Sequence, residues 1–269
     1  ISGGCINQAY YIEDSKHSFF VKLNTTKSLH MFEAEATGLQ EIKNSHSLRV
    51  PTPICSGRND TNSWLVLEYI EMDHVTKNGS AALGTGLAEM HRISFEKFGW
   101  IQNNTIGSTP QINNFSFDWI QFWREHRLGY QLQLAKTNGY TGRLLKQGEY
   151  LMAELEAFFP DTPQVASLLH GDLWSGNYSY DLAGCPVLYD PAIYYGDRGT
   201  VEKWFNPKAF IFYDPNNPEK ALEQIRDLHH NDKAYFEMRN IPMIRSSKIT
   251  TLKQKLAQTA FPRPKAPRN

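Results

Sequence analysis

The sequence predicts an α+β protein built as two lobes: a small β-rich lobe with one helix, then a larger, mainly helical lobe. Three observations carry this. Short alternating apolar runs separated by polar turns crowd the first 70 residues and read as strands. One amphipathic helix interrupts them. Beyond residue 70 apolar residues recur mostly at the helical spacing of three and four, until two short apolar runs bracket a polar loop around Asp172.

The chain of 269 residues is 41% hydrophobic and 21% charged, ordinary for a globular protein and long enough for two lobes. Formal net charge is zero, which argues against a broad nucleic-acid surface. No apolar run approaches the roughly 18 residues of a membrane span. Neither a nucleic-acid nor a membrane partner is therefore expected. Three cysteines without metal-ligand spacing fit a reducing compartment, and the cytoplasm is the expected location. No secretory signal is visible, but the chain opens on Ile1 rather than Met, so an organellar targeting segment can precede it.

In chain order, Ala9 to Ile12 and Ser18 to Lys22 read as strand, turn, strand, preceded by Gly3-Gly4-Cys5-Ile6-Asn7. A glycine pair there lets backbone amides approach a phosphate, or simply makes a turn. Leu29 to Ile42 is helical, with Leu29, Phe32, Ala36, Leu39 and Ile42 on one stripe and Glu33 and Glu35 both available as partners for a lysine. Arg49 to Ile54 is an extended, proline-stiffened link. Trp64 to Ile70 is a buried strand ending in a polar turn. Ala81 to His91 is a helix, with His91 expected to pack rather than react. Phe98 to Pro110 is a loop or short hairpin. Phe117 to Leu128 is an aromatic helix continued by Gln131 to Ala135. With neutral charge, its rings belong to a core rather than to stacked bases. Gly148 to Phe159 is a further amphipathic helix closed by Pro160.

The chemistry concentrates in His170-Gly171-Asp172-Leu173-Trp174-Ser175-Gly176-Asn177, between the strand-like runs Val165 to Leu169 and Cys185 to Tyr189, with Asp190-Pro191 next. Asp172, Asn177 five residues on and Asp190 thirteen further supply a carboxylate, an amide and a second carboxylate. Phosphoryl transfer needs that set in one place: a base for the attacking hydroxyl, and two oxygen donors that hold Mg²⁺ against nucleotide phosphates. The order and spacing match the kinase catalytic loop His-x-Asp-x-x-x-x-Asn followed by a metal-binding Asp. As turn residues, Asp172 and Asn177 would each be unremarkable alone. Gly171 stands where protein kinases have Arg, and Asp190-Pro191-Ala192 where they have Asp-Phe-Gly. Both point to small-molecule kinases.

With Tyr194-Tyr195-Gly196-Asp197-Arg198 and Met31-Phe32-Glu33-Ala34-Glu35-Ala36-Thr37-Gly38-Leu39, these motifs resemble the fructosamine (ketosamine) 3-kinase family, with Trp174-Ser175-Gly176 as its distinguishing mark. The resemblance implies a bilobal protein-kinase-like fold with ATP and Mg²⁺ as cofactors. It also implies transfer of the γ-phosphate to the 3-hydroxyl of ketosamine adducts on small amines or proteins, in deglycation repair. Asp172 is then the base, and Asn177 and Asp190 hold the metal. Lys22, oriented by Glu35, steadies the phosphates beside Gly3, Gly4, Cys5 and Asn7. The backbone of Glu68, Tyr69 and Ile70 receives adenine. His170 and Trp174 are candidates for the sugar side, and Trp174 could equally pack.

Residues 1–70 form the expected nucleotide lobe, its first strand starting before Ile1, and 71–198 the catalytic lobe. Residues 199–269 are an atypical, partly disordered region where the family pattern stops, owing to a changed reading frame or divergence. Two rivals remain: another small-molecule kinase of the aminoglycoside or choline type, and an inactive nucleotide-binding fragment. Cys5, in an amide-lined loop that favours a thiolate, is the expected site of oxidation. The chain is then a monomer or a redox-sensitive dimer, with Cys55 and Cys185 as inert packing residues.

Overall fold

A computed structural model of the chain describes residues 6–73, 79–159, 163–174 and 176–198. Gly3, Gly4, Cys5, Ser175 and the 199–269 region lie outside the described residues.

The alternating runs build the first sheet. β1 (Gln8–Glu13) and β2 (Ser18–Thr25) form a hairpin, its turn closed by Asp14, whose Oδ1 accepts from the amides of Lys16 and His17 at 2.7 and 2.8 Å. α1 (Leu29–Asn44) follows. β3 (Pro53–Arg58) begins on a proline, which suits a first strand residue lacking an N–H. The stretch expected as a plain link thus leads into a strand. β4 (Asn62–Glu68) completes the sheet, in the order β1-β2-β4-β3 and antiparallel throughout.

After β4 come β5 (Met72–Asp73), α2 (Gly79–Met90), β6 (Ser94–Phe95), β7 (Asn104–Ile106) and β8 (Thr109–Gln111). α3 (Trp119–Trp123) is capped by Asp118, whose side chain accepts from the Gln121 amide at 2.7 Å. A π turn over Arg124–Gly129, α4 (Tyr130–Thr137) and α5 (Arg143–Ala153) continue the helical stretch. Next come β9 (Ala166–Leu169), β10 (Tyr178–Asp181), β11 (Pro186–Leu188) and β12 (Tyr194–Asp197). The expected helices are present, and eight strands of two to four residues lie among them. Segments that short leave almost no periodicity to read. They pair as β11-β10-β5, β12-β9-β6 and the hairpin β7-β8.

The chain divides into two compact units. One runs through Arg127 and resumes over Gln164–Arg198, and the other contains Leu128–Pro163. In the second, α4 and α5 approach closely because Gly148 has no Cβ, which would lie 2.3 Å from the Leu132 side chain. In the first, one apolar cluster joins Phe32, Leu39 and Ile42 of α1 to Leu65 and Leu67 of β4, and to Leu168, Leu188 and Ile193. Full burial of each such side chain contributes about 1.5–3 kcal/mol. The cluster thereby ties α1 to the strands that flank the polar loop. Trp119 and Phe122 of the aromatic helix are buried, as core residues should be. No helix among the described residues is long and apolar enough to cross a membrane.

Candidate active site

Lys22 lies on β2 at 6% exposure. α1 turns Phe32, Glu35, Leu39 and Ile42 to the same buried side, while Glu33 is exposed. The choice left open by composition is settled by this stripe: Lys22 Nζ donates to Glu35 Oε1 at 2.6 Å. The same ammonium pairs with Asp190 Oδ1. Burial alone would push Lys22 down, but the carboxylates of Glu35 and Asp190 outweigh it and hold the ammonium well above its usual range. Burial pushes the Glu35 carboxyl up, with Lys22 offsetting part of that.

The polar loop brings the other groups to the same place. Asn177 Nδ2 donates to the Asp172 carbonyl at 2.7 Å and to Asp172 Oδ2 at 3.1 Å. The amide nitrogen is committed there, so Oδ1 is the Asn177 atom that can ligate a cation. Asp190 is a non-glycine residue at φ 55°, a left-handed conformation that Asp tolerates better than most. Gly171 sits at φ +82°, and a Cβ on it would stand 1.8 Å from the Ala192 carbonyl oxygen. Here lies the physical reason for glycine where protein kinases carry arginine.

Asp172, Asn177, Asp190, Lys22 and Glu35 all border one cleft of about 860 Å³, a size suited to a small-molecule ligand. Asn7, Glu68, Tyr69, Ile70 and Trp174 border it too, as expected from sequence. Trp174 is 61% exposed, its ring lying over Gly176, so it is not a core residue.

Several expectations are corrected. His170 does not line the cleft: it is 2% exposed, and its Nε2 donates to the Tyr189 carbonyl at 3.1 Å. Burial lowers its pKa, so it is a neutral scaffold residue rather than a contact for the sugar. The amides of Glu68 and Tyr69 are already spent on the Thr52 and Ser18 carbonyls at 2.8 and 3.3 Å. Of the three backbone amides expected to face adenine, these two are engaged elsewhere, which leaves the expectation to Ile70 and to the carbonyls. The Glu68 carboxylate is a brace, accepting from Thr52 and Arg49. Cys55 and Cys185 are exposed, so the expectation of inert packing fails for both. Each lies at or beside an edge of its small sheet, where an apolar run still meets solvent.

Residues missed from sequence brace the site, and one of them, Asn104, also borders the cleft. Arg49 ties Glu68 at 3.2 Å to Asp181 on β10. Trp100 Nε1 donates to Glu41 Oε2 on α1 at 2.7 Å. Asn104, Gln111 and Asn113 are buried polar groups around the β7-β8 hairpin. Amides and lone arginines carry no motif; burial marks the three amides, and only its ion pairs mark Arg49.

The donor set fits a magnesium nucleotide. Asp190 carboxylate and Asn177 carbonyl offer hard oxygen ligands, and Asp190 already holds a cation, the Lys22 ammonium. Among the described residues no cluster of three His, Cys, Asp or Glu side chains could hold a metal by itself. Mg²⁺ at kinase sites takes one or two carboxylates and completes its shell with phosphate oxygens and water.

Comparison with solved structures gives the class. The chain matches a structure from Haemophilus somnus 129PT assigned to fructosamine-3-kinase, with TM-score 0.69, 25% identity, and 96% and 88% of the two chains covered. It matches aminoglycoside phosphotransferase APH(4)-Ia with AMP-PNP and hygromycin B in fold alone, at TM-score 0.54 and 16% identity, over 87% and 78% of the chains. Fold and site together define an ATP-using phosphotransferase of protein-kinase-like fold. The family model for fructosamine kinase matches residues 1–216, and this chain belongs to that family. The match runs past Arg198, where motifs ceased to be legible. The chloroplastic protein-ribulosamine 3-kinase of Arabidopsis thaliana is 43% identical over 238 residues, covering 85% of this chain and 73% of that protein.

Proposed function

We propose that this chain phosphorylates the 3-hydroxyl of ketosamines attached to amines or proteins, using Mg-ATP. The observation that carries the reading is the Lys22 ammonium shared by Glu35 and Asp190 on the cleft that also holds Asp172. Asp172 is the base for the acceptor hydroxyl, its carboxylate aimed by the Asn177 amide nitrogen. Asn177 Oδ1 and the Asp190 carboxylate hold Mg²⁺. Lys22 steadies the phosphates, and Glu35 holds Lys22 in place. When bound, Mg-ATP supplies the phosphoryl group and neutralises charge on it. Exposed Trp174 offers an apolar face to the sugar.

The same reading assigns residues 1–70 to the nucleotide and 71–198 to catalysis and metal. The proposed compartment is the cytoplasm, and a plastid is its rival, because the Arabidopsis relative is named chloroplastic. Gly3, Gly4 and Cys5 remain the proposed phosphate loop, with Cys5 as the thiol that joins two chains on oxidation. The test is ADP release from purified protein given ATP, Mg²⁺ and fructosyl- or ribulosyl-lysine, beside choline and an aminoglycoside. Turnover of a ketosamine that Asp172→Asn abolishes is the expected result. Turnover confined to choline or the aminoglycoside overturns the acceptor assignment.

A further inference from the structure

The backbone on both sides of Asp190 is pinned. The Tyr189 amide donates to the Asn177 carbonyl at 3.1 Å and the Ala192 amide to the His170 carbonyl at 2.9 Å. His170 Nε2 holds the Tyr189 carbonyl at 3.1 Å. These three bonds come from the catalytic loop and its leading strand. Two more come from the β7-β8 hairpin, remote in sequence. Gln111 Nε2 donates to the Ala192 carbonyl at 2.8 Å, and Asn104 Nδ2 to the Ile193 carbonyl at 2.8 Å.

The two amides are buried, at 5% and 6% exposure, and locked to each other. Gln111 Nε2 also donates to Asn104 Oδ1 at 2.8 Å, and Asn113 Nδ2 reaches the same oxygen at 3.1 Å. Behind them, Arg127 Nη2 donates to Asn113 Oδ1 at 2.8 Å and Nη1 to the Ile112 carbonyl at 2.6 Å. Its guanidinium lies 4.6 Å from the Phe122 ring centroid and 4.2 Å from that of Tyr194. A buried network of this kind is satisfied in one arrangement only, and each lost donor strands a carbonyl away from water.

The geometry matters because Asp190 occupies a sparsely populated backbone region. Such a residue stays there when its surroundings over-determine it. Freed carbonyls at 192 and 193 would let the segment relax towards an extended path and carry the Asp190 carboxylate off its bearing. We propose that Asn104 and Gln111 are positioning residues that hold Asp190 in its metal-presenting conformation, with Asn113 and Arg127 as their anchor. The inference rests on the reading of Asp190 as a holder of Mg²⁺.

The test needs no turnover. Thermal shift with saturating ADP is followed as Mg²⁺ is titrated, for wild type, Gln111→Met and Asn104→Leu. Gln111→Met keeps the volume and is the milder change. Ser63→Ala is the control: this buried side chain loses a part-buried hydrogen bond, to the Thr25 carbonyl at 2.7 Å, in the first sheet. The Mg²⁺ midpoint should rise about tenfold in the two hairpin variants, the usual effect of losing a group that orients a metal ligand. It should stay at the wild-type value in Ser63→Ala whatever that variant's loss of Tm. Arg127→Lys should give a smaller rise in the same direction. Turnover of the hairpin variants should recover at high Mg²⁺, a change in the metal requirement rather than in kcat. Midpoints within twofold of wild type in Gln111→Met and Asn104→Leu overturn the proposal, whatever their Tm. So does a wild type whose ADP shift ignores Mg²⁺. A tenfold rise in a protein that phosphorylates no ketosamine supports the positioning role and sinks only the acceptor assignment.

Discussion

The two carboxylates on the cleft floor sit in opposite surroundings. Asp172 opens a loop whose Leu173 and Trp174 are 40% and 61% exposed, and the side chain that steadies its carboxylate is Asn177. Asp190 lies in a segment bonded on both sides and followed by Ala192 and Ile193, both essentially buried. As the proposed base, Asp172 would meet acceptors that differ in what the sugar is attached to, and its neighbours are exposed. As the proposed metal holder, Asp190 would meet the same phosphates every time, and its segment is the one hydrogen-bonded on both sides.

The sharpest way to break that contrast is Asp172→Asn. Turnover should fall about 10²–10⁴-fold, the usual share of a general base, while the Mg²⁺-dependent ADP thermal shift stays near wild type. A variant with near-normal turnover removes Asp172 from the chemistry.

Asp190→Ala should do the reverse. Nucleotide binding should lose its Mg²⁺ dependence and weaken about tenfold or more, because the cation loses a charged ligand. Equal Mg-ADP affinity in calorimetry for this variant and wild type would place the metal elsewhere.

The pinned side can also be stressed by acid. Burial, with Arg198 adding to it, lowers the His91 pKa to about 4, and burial lowers that of His170 as well. The unfolded chain takes up these protons near the ordinary histidine pKa, while the folded chain refuses them. Stability is therefore full above about pH 6.5 and falls as pH drops towards 4. Tm measured from pH 8 to 5 should decline through that window, and His91→Leu should flatten the decline. An unchanged slope would assign the acid sensitivity to other groups.

The smallest effect belongs to Arg49→Met. Arg49 and Glu68 are both more than a third exposed at their side chains, so solvent screens the pair. A loss of about 1 kcal/mol or less is expected in urea unfolding. A loss several times larger would show that the Glu68–Arg49–Asp181 brace is part of the rigid side.

The catalytic loop was legible because its chemistry demands particular residue types at fixed spacing along one strand-loop-strand unit. Lys22 and Glu35 were legible in part: the family resemblance pointed to Glu35, but composition left Glu33 open until the fold buried one and exposed the other. Role and direction were harder. His170 carries the motif's first letter yet points into the protein, which spacing cannot tell. Cys55 and Cys185 lie in or beside apolar runs yet meet solvent, because edges of small sheets are set by pairing, not by hydrophobicity. Asn104, Gln111 and Arg127 left no trace. The partners of Asn104 and Gln111 are backbone carbonyls 89 and 81 residues away, and Arg127 bonds the Ile112 carbonyl and the Asn113 side chain; a carbonyl has no signature in a sequence.

The close approach of Gly171 to the Ala192 carbonyl has a further consequence, for control. In many protein kinases the catalytic-loop arginine at this place answers to a phosphate on a neighbouring loop, and the enzyme is switched by adding or removing that phosphate. Here any side chain at 171 would collide with the main chain. Position 171 therefore offers no antenna for such a signal, and one substitution there cannot install it without moving the Asp190 segment. Control of that kind is closed to position 171.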